Sequence, residues 1–156
     1  MVQVRLEPMT QEQYDAYRAT AEEGYAESMR LAGAKGDAES RAKAAEDYAR
    51  LLPDGLATPG QLLWTAYDGE REVGILWVAL TDTPDGTTAF GYDLEVPEPL
   101  RRHGYGRAIL EAAVEELRAR GVVSVGLNVF GHNLGAQALY EQMGFEVTAI
   151  QMVRKL

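Results

Sequence analysis

Cysteine is absent from this chain of 156 residues, and histidine occurs only twice, at His103 and His132. The lack of thiols excludes a disulfide framework, a thiolate metal site and a cysteine nucleophile. The two histidines do not have the spacing at which zinc ligands occur. We therefore expect no metal site and no cysteine-linked intermediate in any chemistry of this protein.

Long apolar runs and targeting segments are also lacking. No run approaches the roughly 18 residues that a membrane-spanning helix needs. The opening stretch, MVQVRLEPMT, has no basic flank, apolar centre or small-residue cleavage site of a secretory signal. These absences predict a soluble, cytoplasmic protein without a membrane partner.

Positive charge is scarce, with 15 Lys and Arg against 24 Asp and Glu and a formal net charge of −9. Proteins that bind nucleic acids usually neutralise phosphates with clustered Lys and Arg, so we expect no nucleic-acid partner. The acidic balance is compatible with an amine-bearing substrate, although an acidic surface most often serves solubility.

The pattern of apolar residues predicts one mixed α+β domain over residues 1–156, and 46% hydrophobic residues are enough for a single core. A short strand over residues 2–8 precedes a helix that begins at a capping box of Thr10 and Gln13. We expect Asp37 to cap a second helix that runs to about Leu52. The first helix should bury one face, formed by Tyr14, Tyr17, Ala21, Tyr25 and Met29.

Strand periodicity begins at Gln61. Turn signals at DGER and TPDG separate three antiparallel strands, the last of which runs to Val96. A helix over residues 104–120 follows, then a buried parallel strand in VVSVGLNVF and a short helix over residues 133–143. The segment FEVTAIQMVRKL is expected to supply one or two final strands.

The only concentrated positive segment is RRHGYGR at residues 101–107, where a predicted strand ends and a helix begins. Such a turn presents free backbone N–H groups and the positive end of a helix dipole, so it suits an anion, most often a phosphate. A dinucleotide fingerprint would need a third glycine where Ile109 stands, and the chain has no Gly-Lys-Ser/Thr of a P-loop. The alternative is a tight turn whose glycines only allow close packing.

Two motifs surround this segment. Counted from Val96 at the strand end, two prolines lead to Arg101, Gly104 and Gly106 at the spacing Arg-x-x-Gly-x-Gly. A second motif, NLGAQALYEQMGF, supplies Asn133, Ala136, Leu139, Tyr140, Gly144 and Phe145. In this order, the motifs resemble those of the GCN5-related N-acetyltransferase (GNAT) family, and the resemblance covers about residues 62–156.

The resemblance implies a GNAT fold, in which a mixed, mostly antiparallel central sheet of about six to seven strands is flanked by about four helices. It also implies an acetyl-CoA-dependent N-acetyltransferase that moves an acetyl group to a primary amine by direct transfer in a ternary complex. We expect a small-molecule amine as acceptor, acetyl-CoA as co-substrate and no metal.

The resemblance also assigns residues to the coenzyme. The amides of Arg102 through Arg107 would wrap the pyrophosphate, and the pantetheine arm would lie between the strand ending at Val96 and the strand at Leu127 to Val129. The expected coenzyme-binding residues are Leu94, Val96, Arg101, Arg102, His103, Gly104, Tyr105, Gly106, Arg107, Asn128, Asn133 and Tyr140.

Catalysis needs a base, a polarised carbonyl and an acid. By resemblance Tyr140 protonates the departing thiolate, and a backbone N–H of Leu94 or Glu95 polarises the thioester. Some relatives carry a glutamate where this chain has Phe90, so the base is open. Asp93 and Glu95 are the available carboxylates, and ordered water is the alternative.

Three other functions stay open. The acceptor could be a protein or peptide N-terminus. Alternatively, the chain could be a non-catalytic acyl-CoA-binding regulatory module, which is suggested by Phe90 in the place of the glutamate that some relatives carry. A phosphate-binding or structural domain is the third. A homodimer is possible. The acceptor, the acyl preference beyond acetyl and the oligomeric state have no motif of their own.

Overall fold

The computed structural model describes residues 2–33 and 35–156. These residues form five strands and four α-helices in the order β-α-α-β-β-β-α-β-α, with two short 3₁₀ turns at Gly55–Ala57 and Glu98–Leu100. The strands are β1 Arg5–Pro8, β2 Gln61–Asp68, β3 Arg71–Thr83, β4 Gly86–Glu95 and β5 Val122–Leu127. The helices are α1 Gln11–Leu31, α2 Asp37–Leu51, α3 Tyr105–Ala119 and α4 Leu134–Gln142.

The chain divides into two compact units. The first contains the residues up to Tyr14 and Asp54–Asn128, and so holds the whole sheet and α3. The second contains Asp15–Pro53 and Val129–Leu156, and so holds most of α1 together with α2 and α4. A single domain over residues 1–156 stays a prediction.

The sheet has the order β1-β2-β3-β4-β5. Strands β1 to β4 pair antiparallel, and β5 joins β4 in parallel. Both hairpin predictions are confirmed, because β2 turns into β3 at Gly69, whose φ is 62°, and β3 turns into β4 between Thr83 and Gly86. The α+β class and the helix number are confirmed as well.

The predicted number of strands was wrong. Six to seven strands were expected, and the described residues form five. The segment FEVTAIQMVRKL forms no strand in the part of the chain that the structure describes. Val147, Ile150 and Met152 in this segment are exposed. An alternating pattern becomes a strand only where a neighbouring strand satisfies its backbone, and this segment pairs with none among the described residues.

Strand β5 is parallel to β4, as expected, but the prediction that it is buried was wrong. Val123 is 62% exposed, and most of the strand is exposed or half-buried. The reason is its place in the sheet, because β5 is last in the strand order and, among the described residues, has a strand neighbour on one side only.

The core of the first unit lies between α3 and one face of the sheet. Ile109, Ala113 and Leu117 of α3 are buried there against side chains of β2, β3 and β4, which include Trp64, Ala66, Val73, Leu76, Val78 and Ala89. A Cβ at Gly74 would come within 2.6 Å of the Glu95 carbonyl oxygen and 2.7 Å of Ile109 Cδ1. Glycine at this position therefore lets β3, β4 and α3 pack closely.

Two helix starts follow the prediction and one does not. Thr10 and Gln13 form the capping box at α1, with N···O distances of 2.9 and 3.1 Å. The Asn133 side chain caps α4 by accepting from the Ala136 N–H at 3.2 Å. Asp37 does not cap α2, because Gly36 is the N-cap and Asp37 is the first helical residue, where its charge still favours the helix dipole.

The second unit contains a buried carboxylate on α2 with donors from both α1 and α2. Asp47 is buried, and its carboxylate accepts hydrogen bonds from Lys43 at 2.7 Å, Tyr25 at 3.3 Å and Arg50 at 3.4 Å. Desolvation opposes the charge, but these partners together lower the pKa of Asp47. The expected buried face of α1 is confirmed at Tyr14, Tyr17, Ala21 and Met29, while Tyr25 is half-buried.

None of the helices in residues 2–33 and 35–156 combines the length and the apolar character needed to cross a membrane.

Candidate active site

Strand β4 contains a β-bulge at Tyr92. Trp77 of β3 lies opposite Asp93, and the next residue, Val78, lies opposite Gly91, so Tyr92 has no partner of its own. A bulge inserts one residue, increases the local twist and re-aims the side chains, and bulges are frequent beside active sites. The bulge was not predicted from the sequence. The available signal was the shift of core-facing residues from odd numbers, at Ala89, to even numbers, at Leu94.

Strands β4 and β5 part just before the bulge. Their last registered pair is Gly91 and Leu127, yet β4 continues to Glu95. Beyond that pair, no strand among the described residues accompanies β4 on this side, so part of its backbone lacks a ladder partner. Asn128 directly follows β5 and is exposed. The first unit therefore has a strand end with free hydrogen-bonding capacity at the position expected for the pantetheine arm.

Leu94 and Val96 offer backbone rather than side chains to this opening. Both are half-buried, and their side chains pack against the core of the first unit. This orientation agrees with the expected use of main-chain N–H and C=O groups on this strand.

The segment after β4 turns sharply into α3. Arg101 Nε donates to the Val96 carbonyl oxygen at 2.8 Å, and the Arg101 N–H donates to the Glu98 carbonyl oxygen at 3.2 Å. Arg102 has a φ of 66°, the only positive value of a non-glycine residue among those described, and Gly104 has a φ of 86°. Left-handed residues alternating in such a loop turn successive N–H groups toward one side, which makes an anion-binding concavity.

The backbone N–H groups from Arg102 through Arg107 have no hydrogen-bond acceptor among the described residues, whereas the next one, on Ala108, donates to the Gly104 carbonyl oxygen at 3.1 Å. No side chain caps the N-terminus of α3. A helix N-terminus carries about half a positive charge, so this row of donors favours an anion.

The side chains of the same segment are mostly engaged by the protein itself. The Tyr105 hydroxyl donates to Asp68 at 2.6 Å, a bond that is the first cause of the raised pKa of Tyr105. His103 Nδ1 lies 3.1 Å from the Leu100 carbonyl oxygen. Arg107 pairs with Glu111 at 3.0 Å. Arg102 makes no ion pair or hydrogen bond with any described residue, so its guanidinium is available.

Asp93 and Glu95 lie on the sheet face opposite the α3 core. Asp93 is registered with Trp77 and Glu95 with Ile75, and directly paired residues share a face. Although Glu95 is exposed as a residue, desolvation of its carboxyl by surrounding atoms raises its pKa. A side-chain hydrogen bond with Asp93 and the positive charge of Arg101 act in the opposite direction and lower the pKa of Glu95.

Asn133 and Tyr140 belong to the second unit. Asn133 caps α4, and Tyr140 is half-buried with its ring 5.6 Å from that of Phe145. The Phe145 N–H donates to the Tyr140 carbonyl oxygen at 3.0 Å. The expected contacts of these two residues with the coenzyme stay predictions.

The first unit thus combines a bulged strand, which among the described residues has no strand neighbour on one side after Gly91, with a helix N-terminus that has free amides. This combination suits an extended ligand with an anionic end. These features are typical of the class of acyl-CoA-dependent transferases. Residues 11–145 match the sequence model of the Acetyltransferase (GNAT) family. The chain belongs to this family of N-acetyltransferases, and membership implies the use of acetyl-CoA.

Two relatives from Bacillus subtilis (strain 168) match almost the whole chain. The uncharacterized N-acetyltransferase YycN is 34% identical over 98% of this chain and 99% of its own length. The uncharacterized N-acetyltransferase YdgE is 30% identical over 97% of both. The crystal structure of the Bacillus subtilis acetyltransferase YycN superposes with a TM-score of 0.93 at 35% identity and covers 98% of each chain.

Proposed function

We propose that this N-acetyltransferase moves the acetyl group of acetyl-CoA to the primary amine of a small molecule by direct transfer in a ternary complex. The observation that carries the proposal is the row of unsatisfied N–H groups from Arg102 through Arg107 at the start of α3. The row joins the free N–H groups of a helix N-terminus to those of a turn with two left-handed residues, Arg102 and Gly104, and this arrangement favours an anionic ligand.

The donor side of the proposal follows from charge and backbone geometry. The amides and the free Arg102 guanidinium would hold the pyrophosphate with charge-assisted hydrogen bonds. After Gly91, the side of β4 that no longer pairs with β5 would accept the amide-bearing arm in the manner of an added strand. Family membership supplies the identity of this ligand, and Asn128 and Asn133 stay expected contacts.

The chain would use its own groups for the proton transfers. Glu95, with Asp93 beside it, would take a proton from the acceptor ammonium or pass it through water, which frees the nitrogen lone pair. A backbone N–H of Leu94 or Glu95 would stabilise the carbonyl oxygen as the C–N bond forms. Tyr140 would donate a proton to the sulfur as the C–S bond breaks, and would regain a proton through water as the nitrogen loses its second proton. The base returns the first proton to solvent.

The raised pKa of Glu95 supports its role, because a base works best when its pKa lies closer to the operating pH than that of an ordinary glutamate. The same observation weakens the alternative of a non-catalytic acyl-CoA-binding module, which was suggested by Phe90 in the place of a carboxylate. A peptide or protein N-terminus stays the alternative acceptor. The proposal includes no metal.

The test is an assay of thiol release from acetyl-CoA with amines, polyamines, amino acids, aminoglycosides and peptides, in which the acetylated product is identified by mass spectrometry. We expect amine-dependent turnover with at least one small amine. Stabilisation by acetyl-CoA without turnover on any amine would support the binding module instead. Turnover confined to peptides would indicate that the acceptor is a peptide or protein N-terminus.

A further inference from the structure

We propose that Tyr92 selects the acceptor, and that the acceptor is a primary amine that carries a planar apolar group. This inference rests on the proposed function, because it concerns the amine that enters the same site. Nothing in the two sequence motifs concerns Tyr92, whose position results from the bulge in β4.

The Tyr92 ring is the accessible member of a stacked aromatic group. It stacks on Trp77 with the centroids 4.7 Å apart and the planes at 28°, and meets the edge of Phe90 at 4.9 Å and 62°. Trp77 is 2% exposed, whereas Tyr92 is 40% exposed. One face of Tyr92 is therefore covered by protein, and a large part of the residue stays available for contact.

The ring is also fixed in place before any ligand arrives. Trp77 Nε1 donates to Gln61 Oε1 at 2.7 Å, which holds the indole against which Tyr92 stacks. A ring held between two other rings loses little further freedom on binding, so contact with it contributes more fully to affinity. Phe90, which stands where some relatives carry a carboxylate, has a packing role in this arrangement.

The bulge brings the ring and the carboxyl pair to one face. Because Tyr92 has no partner of its own on β3, it lies on the same face as its neighbour Asp93 and as Glu95, instead of alternating with Asp93. An acceptor whose ammonium is at the carboxyls would therefore have the Tyr92 ring beside it on the same face of the sheet.

Charge and shape together define the acceptor class. The carboxyls attract an ammonium group, while the exposed ring favours an apolar, flat substituent by offset or edge contact. A polyhydroxylated amine would bury hydroxyls against the ring without partners. A small molecule that has both an ammonium group and a flat apolar group is 2-phenylethylamine, and ethanolamine is its small, polar counterpart.

The experiment compares these two amines on the wild type and on Tyr92→Ala. We expect Tyr92→Ala to raise the KM for 2-phenylethylamine by about tenfold, as loss of one good aromatic contact implies, with a smaller change in kcat. The KM for ethanolamine should change by less than about twofold. Tyr92→Phe, which keeps the ring, should restore the preference for the aromatic amine.

Equal effects on the two amines, or no effect, would overturn the inference. Calorimetry of 2-phenylethylamine with the protein saturated by coenzyme A separates this result from failure of the proposed function. Binding that depends on the Tyr92 ring without acetyl transfer would support the inference and contradict the transferase proposal. Turnover of amines with no dependence on Tyr92 would do the reverse.

Discussion

The two units of the chain differ in whether their polar groups have hydrogen-bond partners within the protein. In the first, an apolar core between the sheet and α3 supports a loop whose N–H groups from Arg102 through Arg107 have no acceptor among the described residues. In the second, the buried carboxylate of Asp47 has three side-chain donors. The buried carboxylate needs these partners and its role is structural, whereas the loop N–H groups at the positive end of α3 are open to an anionic ligand.

Glu95→Gln should have the largest effect on the first unit's chemistry. Removal of a general base typically lowers kcat by about 10² to 10⁴-fold, while acetyl-CoA affinity should stay the same because the amide row is intact. In the wild type, kcat/KM should rise as the pH rises through the raised pKa of Glu95. Pre-steady-state and steady-state rates over a pH series measure both effects.

The matched control is Glu98→Gln, a nearby carboxylate on the 3₁₀ turn that should leave the profile unchanged. An unchanged kcat in Glu95→Gln would indicate that Asp93 or water, and not Glu95, acts as the base. The folded protein binds the Glu95 proton more tightly than the unfolded chain, so this carboxyl lowers stability as the pH rises through the same window.

Gly104→Val should weaken acetyl-CoA binding by at least about tenfold, because a side chain at a φ of 86° distorts the loop that aims the amides. Gly121→Val is the control at the other end of α3, where φ is 80° and a Cβ meets nothing within 4 Å. Both variants should lose similar stability, and only the first should lose affinity in calorimetry. Equal affinities would place the coenzyme elsewhere.

Arg102→Gly should separate affinity from stability. Glycine removes the free guanidinium, so the Kd for acetyl-CoA should rise by about fivefold to tenfold, as expected for one hydrogen bond to a charged group. It also relieves the left-handed strain at a φ of 66°, so the free energy of unfolding should increase by about 1 kcal/mol. Arg102→Ala should share the loss of affinity without the gain in stability, and denaturant unfolding distinguishes the two variants.

Asp47→Asn tests the structural role of the second unit's polar cluster. Lys43 and Arg50 are substantially exposed, so we expect a loss of only about 1–2 kcal/mol of stability and no change in acetyl-CoA affinity. Because the pKa of Asp47 is lowered in the folded state, its contribution is present above the ordinary aspartate pKa and is lost as the pH falls through the folded value. The variant should lack this acid dependence in thermal unfolding, and a weaker affinity would contradict a purely structural role.

The features that the sequence predicted correctly depend on local chemistry. The Thr10 and Gln13 capping box, the turn at Gly69 and the Asn133 cap each involve residues close in the chain. The Gly104 loop was also predictable, because a strand end, a glycine turn and a helix start occur together in one short segment.

The features that were missed depend on pairing between distant segments. The bulge at Tyr92 exists only in the register between β3 and β4, and the exposure of β5 follows from its place at the sheet edge. The segment FEVTAIQMVRKL has the alternation of a strand, but alternation does not supply a neighbour. Tyr92 was therefore not recognised as part of a site, although Asp93 beside it was.

The central claim is that the backbone amides at the start of α3 hold the coenzyme. The most direct measurement is amide hydrogen exchange and chemical-shift change by NMR during titration with coenzyme A. We predict that the amides from Arg102 through Arg107 shift strongly and become protected, whereas those around Asp47 do not change. Binding of coenzyme A that leaves these loop amides exchanging at their original rates would contradict the account.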